Sequence, residues 1–268
     1  MDKRRRWIGV LTAVLWLCPG SAVADIPLTL DEIVQRTEQV AYYQGRNGRA
    51  RVAMSITDGQ GRTRKRRMTI LRRDDEAAAG AGQRYFVHLQ YPADVKNTVF
   101  MVWKHPDRDD DRWLYLPALD LVKRIAAGDK RTSFLGSDFF YEDISGRSTT
   151  EDTHTLVETS DNYYVVDNAP RDPQSVAFSH FTMWIHRDSF IPVKIEYYDR
   201  QGEKYRVYEA LAVETFQGYP TVTESRMRDL HSGGETVLKF SRIEYDLDMP
   251  QEIFTERYLR QPPGQFIQ

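Results

Sequence analysis

Apolar residues recur along most of this chain at every second position, and one early stretch follows a helical period instead. Thr29-Leu30-Asp31-Glu32 has the form of a capping box, with Thr29 as N-cap and Glu32 reaching back from the third helical position. Ile33, Thr37, Val40 and Ala41 then share one face, which predicts an amphipathic helix over residues 30 to about 44. Beyond it, Val52, Met54 and Ile56 alternate with small and polar residues up to the turn Asp58-Gly59-Gln60-Gly61. A return strand over residues 62–73 completes a hairpin. Further strands are predicted over residues 84–91, 98–104, 112–116, 121–125, 153–159, 163–166, 178–186, 193–198, 203–210, 221–229 and 235–246. Turn signals at Asp161-Asn162, Asp199 to Gly202, Gln217 to Pro220 and Ser232-Gly233-Gly234 separate the later ones. Pro250 suits the first turn of a short closing helix through Phe254.

Many short strands at close spacing, without helices between them, predict a meandering antiparallel sheet. Flat open sheets beyond about ten strands are rare, so this one is expected to curl. No internal repeat or linker interrupts the pattern, and residues 25–268 are expected to form one mainly β domain.

The first 24 residues read as an export leader rather than as structure. Lys3 to Arg6 form a basic start, Trp7 to Cys18 an apolar run too short to span a bilayer, and Ala22-Val23-Ala24 a small-residue cleavage site. The expectation is a chain cut after Ala24 and released into the periplasm. The general export route is expected, although Arg4-Arg5 bears a faint similarity to a twin-arginine signal. The one cysteine, Cys18, lies in the leader, so disulfide and thiolate chemistry are not expected in the mature protein. The whole chain has formal net charge −2, and loss of four basic residues and one acidic residue with the leader takes it to −5. This balance argues against nucleic acid as partner.

No motif for catalysis emerges. Gly136-Ser137-Asp138 lacks the second glycine of a nucleophile elbow, and no zinc-protease, P-loop or dinucleotide motif occurs. His180 and His186 share a strand face but stand about 20 Å apart, too wide for one metal ion. Asp109-Asp110-Asp111 reads as a solvated turn before it reads as a calcium site. No cofactor or metal is expected. Residues 62–73 carry seven arginine or lysine residues. They suit an anionic headgroup or acidic partner, but an edge strand guarded against aggregation is the preferred reading. The 27 tyrosines and phenylalanines suggest a concave face that is either packed core or cavity lining.

The most telling stretch is WLYLPALDLVKRIAAGDKRTSFLGSDFFYEDI, from Trp113 to Ile144. It runs as a strand, turns at Pro117, re-extends to Ile125 and becomes a polar loop rich in aromatics, which loops carry when those rings are buried or meet a ligand. With the capped helix, Tyr91 to Asn97 (YPADVKN), Pro192 to Asp199 (PVKIEYYD) and Phe254-Thr255 before Leu259, it resembles the outer-membrane lipoprotein-sorting family, relatives of LolA and LolB. Relatives more often have glycine where this chain has Asn97, which bears on turn geometry. The resemblance implies an incomplete β-barrel, with a helix and a lid in its concavity over an apolar cavity that shields acyl chains. Its members are often linked to transporters of the resistance-nodulation-division type. A ~16-carbon chain exposed to water costs about 12 kcal/mol at ~0.8 kcal/mol per methylene, so a carrier is needed for crossing an aqueous space.

The leading expectation is therefore a monomeric periplasmic carrier of lipid or lipoprotein acyl chains, and not an enzyme. Candidate cavity or lid residues are Phe100, Trp103, Trp113, Tyr115, Phe134, Phe139, Phe140 and Tyr141. Lys123 and Arg124 are candidate rim groups, with Asp138, Glu142 and Asp143 as partners that would latch the loop. One rival is a module that docks on an envelope transporter and carries nothing. Another is a hydrolase built on His88, His154 or His231.

Overall fold

The computed structural model describes residues 28–75 and 82–267, and the predicted leader lies outside them. Helix α1 (Leu30–Tyr42) opens this region on the predicted capping box: the Glu32 N–H donates to Thr29 Oγ1 at 3.3 Å, and the Thr29 N–H to Glu32 Oε2 at 2.8 Å. Thirteen strands follow, each overlapping a predicted one. They are β1 (Asn47–Thr57), β2 (Thr63–Asp74), β3 (Gln83–Tyr91), β4 (Val99–Lys104), β5 (Asp111–Leu116), β6 (Leu121–Ile125) and β7 (Asp152–Thr159). The series continues with β8 (Tyr163–Pro170), β9 (Phe178–His186), β10 (Pro192–Asp199), β11 (Lys204–Phe216), β12 (Tyr219–Asp229) and β13 (Gly234–Tyr245). Short helix α2 (Tyr141–Ser145) sits between β6 and β7, while the turn Gln251–Phe254, α3 (Glu256–Arg260) and α4 (Gly264–Ile267) close the chain.

All the strands form one antiparallel sheet in the order β6-β5-β4-β3-β2-β1-β13-β12-β11-β10-β9-β8-β7. Two meanders are joined where the first strand pairs with the last, and β6 and β7 are left as edges. The sheet is an incomplete barrel, as expected. Helix α1 touches both β12 and β7, which four other strands separate, so the sheet must curl around it.

Alternation sorts the apolar residues onto two faces. Val52, Met54, Met68, Val87, Phe100, Val102 and Leu114 turn inward and pack with Phe134, Phe139 and Tyr141. Leu71, Phe86, Val99, Met101, Trp113 and Tyr115 turn outward, where Met249, Ile253, Phe254 and Leu259 of the C-terminal segment cover them. The closing turn after Pro250 is thus present, and it shields a second apolar layer.

Two expectations are corrected. The basic strand is β2, and it is interior, hydrogen-bonded to β1 on one side and β3 on the other. Its charges hold neighbouring segments in place. Arg72 donates to the carbonyls of Tyr42 at 3.1 Å, Gly45 at 2.9 Å and Gln44, and to Asp74 at 2.8 Å, satisfying the C-terminal end of α1. Arg73, on the other face, donates to the Met249 carbonyl. The turn predicted over Gln217 to Pro220 is tighter: Gln217 (φ 52°) and Gly218 (φ 87°) make it alone, and Tyr219 and Pro220 already pair with β11. Asn97 has φ 65°, a region that asparagine tolerates better than most residues.

Because Arg72 is nearly buried and serves three carbonyls and a carboxylate, Arg72→Met should lower unfolding stability by about 3 kcal/mol. Denaturant titration followed by circular dichroism measures this. A change within about 0.5 kcal/mol would mean that the helix end does not depend on it.

Candidate functional site

Between α1 and the inward face of the sheet lies a cavity of about 290 Å³. Val40 and Ala41 of α1 form its roof, and Ile195, Val222, Met227, Leu238 and Phe240 are among the apolar residues of its walls. A β-bulge shapes one wall. The register between β1 and β13 shifts between Arg49 and Arg51, and Arg242 takes φ 50°. The shift inverts the side-chain parity, so Leu238 and Phe240 before the bulge and Ile243 and Tyr245 after it all reach the cavity. A second space of about 100 Å³ lies on the β7–β10 side of α1 and shares Ala41, Tyr42, Asp143, Pro192, Ile195 and Tyr197 with the first.

The segment between β6 and β7 folds across the inward face as a small flap. The Phe134 N–H donates to the Phe139 carbonyl at 2.7 Å and the Glu142 N–H to the Lys130 carbonyl at 2.8 Å, so the flap is a hairpin of its own. Its rings form a packed cluster: Phe100 lies 5.5 Å from Phe134 and 5.0 Å from Tyr141, and Phe134 meets Tyr141 edge-on at 5.4 Å. At the tip, Arg64 and Arg66 of β2 donate to the carbonyls of Gly136 and Leu135.

Of the eight aromatics singled out in the sequence, Phe139 lines the cavity. Phe100, Phe134 and Tyr141 are buried core on the same face, and Phe140 lies under the Arg206 guanidinium, 3.9 Å from its ring centroid. Trp103, Trp113 and Tyr115 sit on the opposite face. Trp103 donates to the Phe254 carbonyl at 2.7 Å and packs on Trp113, and Tyr115 lies under Arg260. Period two accounts for the split, since Trp113 and Tyr115 pair across strands with Met101 and Val99, whose parity is opposite to that of Phe100.

The latch is built from other cations than those expected. Arg124 pairs with Asp111 and stacks over Trp113, and Lys123 is exposed on edge strand β6, so neither meets the flap acids. Asp143, which lines both spaces, pairs instead with buried Arg206 of β11, which also donates to the Asp138 carbonyl at 2.9 Å. The Asp138 carboxylate accepts from the Thr236 hydroxyl at 2.6 Å. Glu142 meets Lys130 at 3.3 Å, Arg131 at 3.0 Å and Arg147 at 3.4 Å. Burial works to raise the Glu142 carboxyl, but these three cations outweigh it and hold the group below the usual carboxylate range. Lys104 donates to the Ser145 and Gly146 carbonyls at 2.8 and 3.0 Å, ending α2. A methyl group on Gly146 (φ 83°) would stand 2.8 Å from the Tyr42 ring, so the flap's last turn and the end of α1 are in direct contact.

The histidines proposed for a hydrolase serve other contacts. His88 meets Asn97 at 3.3 Å, His154 meets Asn168 at 2.7 Å and the Thr149 carbonyl at 2.9 Å, and His231 faces Asp199 at 3.8 Å. No group of three or more histidine, cysteine or acidic side chains suited to a metal ion gathers among the described residues.

An open, curled antiparallel sheet with a helix and a flap in its concavity defines the LolA-like class of folds. A family model described as "-like: Uncharacterized protein" matches residues 81–261, more than half of the chain. The chain belongs to that family. Similar structures include a DUF1329 family protein from Desulfovibrio piger, 26% identical with TM-score 0.77 over 85% of this chain and 96% of that one. A domain assigned to outer-membrane lipoprotein sorting from Vibrio parahaemolyticus is 26% identical with TM-score 0.76, over 86% and 97%. A LolA superfamily protein from Nitrosomonas europaea, at 22% identity and TM-score 0.67 over 87% and 100%, shares the fold. Among curated proteins, none matches the chain.

The Glu142 shift fixes a sign. Its carboxyl is held low in the folded state, so its ion pairs stabilise the fold above the ordinary carboxylate range and are lost as pH falls through the folded-state value. Glu142→Gln should therefore be less stable than the parent at neutral pH, with the gap closing below about pH 4. Urea unfolding across that range tests it, and a gap independent of pH would exclude an electrostatic role for Glu142.

Proposed function

We propose that this chain is a periplasmic carrier that shields the acyl chains of a lipid or lipoprotein during transfer toward the outer membrane. One observation carries the reading: an apolar cavity of about 290 Å³ under α1, at the lower end of the ~300–1,000 Å³ common for ligand sites. A continuous core would have placed the helix directly on the sheet. Here β12 and β13 pair only over Glu224 to Asp229 and Gly234 to Lys239, so Val222, Phe240 and Ile243 beyond that ladder border a gap, and the adjoining space offers room for a longer chain. The leader and the likeness to the lipoprotein-sorting domain from Vibrio parahaemolyticus support export and a lipid-bearing cargo. Transfer of this kind moves a molecule without making or breaking bonds, so it needs apolar area, a movable roof and no catalytic group. Cargo would pass from a transporter of the resistance-nodulation-division type or to an outer-membrane acceptor, with the protein acting as a monomer. Helix α1 and the flap form the roof, and they meet at Tyr42 and Gly146.

Native mass spectrometry of protein purified from the periplasm should show bound lipid, and a fluorescent fatty acid should bind in solution. Val222→Trp, which fills the cavity from its wall, should weaken that binding more than about tenfold, equivalent to ~1.4 kcal/mol, while leaving circular dichroism unchanged. If the parent carries no lipid and binds no fatty acid, the carrier reading fails.

A further inference from the structure

Within the carrier reading, on which this step rests, the cavity wall also indicates what the seated part of the cargo is made of. Three charged side chains lie along it, and each is paired within the protein: Arg49 with Glu244 at 2.7 Å, Arg72 with Asp74 at 2.8 Å, and Asp143 with Arg206. Thr221 and Tyr245 satisfy one another through their hydroxyls at 2.9 Å, and the Gln44 amide donates to the Val40 and Pro220 carbonyls. Tyr85 differs. It is 4% exposed and lines the cavity, and its buried hydroxyl meets no partner among the described residues.

A buried hydroxyl without a partner is unfavourable and rare enough to call for an explanation. Tyr85 stands on β3, directly across from Arg72 on β2 and from Val102 on β4. Burial pushes its pKa well above the ordinary phenol range, so it remains a neutral donor. On the β12–β13 side the wall turns apolar through Val222, Leu238, Phe240 and Ile243.

We propose that Tyr85 is the polar contact of the cargo, donating a hydrogen bond to an uncharged oxygen, an ester carbonyl or an alcohol, at the head of an apolar chain held in the cavity. A carboxylate or phosphate fits less well, because every cation on the wall already has its own anion. The hydroxyl is closed in by its neighbours, so seating a ligand oxygen against it goes with a shift of the cavity wall.

The test uses the full mature protein and its Tyr85→Phe variant, with displacement of N-phenyl-1-naphthylamine by methyl laurate, dodecanol, laurate and dodecane. In the variant, the ester or the alcohol should bind about fivefold more weakly, the effect of one hydrogen bond. Dodecane should bind equally to both proteins, laurate should bind the parent more weakly than the ester, and the melting temperature should be unchanged or higher, because the variant loses an unpaired buried hydroxyl. The larger loss, for ester or alcohol, identifies which oxygen the site takes. Equal binding of ester and alcohol by the two proteins overturns the proposal, as does an equal loss for dodecane, or laurate matching the ester in the parent. A lower melting temperature in the variant also overturns it, because the hydroxyl would then serve the fold. These outcomes leave the carrier reading standing, whereas failure of the parent to bind any of the four ligands removes both.

Discussion

The pairing of β1 with β13 is the constraint on which the rest depends. Without it the chain would be two separate meanders, each with one apolar face and no common interior. The hydrogen bonds between Gly48 and Thr57 on one strand and their partners from Tyr245 back to Glu235 on the other make a single sheet, wide enough to wrap a helix. The same ladder contains the bulge that turns both Phe240 and Ile243 inward, so the join that makes the concavity also gives it an apolar wall. A continuous sheet twists, and over thirteen strands that twist accumulates into the curl that leaves space under α1.

Charge does a different task here. Dispersion and burial hold the flap's rings, whereas the flap's acids and carbonyls meet cations that come from several elements. Arg206 reaches Asp143 from β11, Lys104 ends α2 from β4, and Arg64 and Arg66 hold the tip from β2. A buried ion pair such as Arg206–Asp143 adds little net stability over apolar packing, yet it fixes geometry, because a displaced partner leaves a charge without compensation. The flap thus has a defined closed position. Opening it exposes charges that can regain water, and leaves the aromatic cluster as the part that resists.

Much of the fold was legible in the sequence, because period two and turn chemistry are local. The capping box at Thr29 and Glu32, the strand series and the closing turn after Pro250 all appear where the pattern places them. The site was less legible, because it depends on pairing between distant strands. Nothing local says that β2 is flanked on both sides, so its arginines read as an edge. Trp113 and Tyr115 stand in the same stretch as Phe134 and Phe139, and only the register against Val99 and Met101 places them on the other face. Arg206 lies 63 residues from Asp143 in the chain, which no spacing rule connects. The inversion at Arg242 was hidden as well, since alternation counted through a bulge assigns Ile243 and Tyr245 to the wrong side.

The sheet ends at β6 and β7 without joining them, and this sets the mechanical character of the cavity. A closed barrel has a girth fixed by its strand number and stagger, and enlarging it means breaking a ladder. Here the two margins can separate or approach by small changes of twist spread over twelve ladders, with every inter-strand bond kept. Capacity then becomes a continuous variable, set by how far α1 and the flap are pushed outward. On the carrier reading, a protein built this way would accommodate chains of different length and number by flexing, where a rigid pocket would have to select a single one.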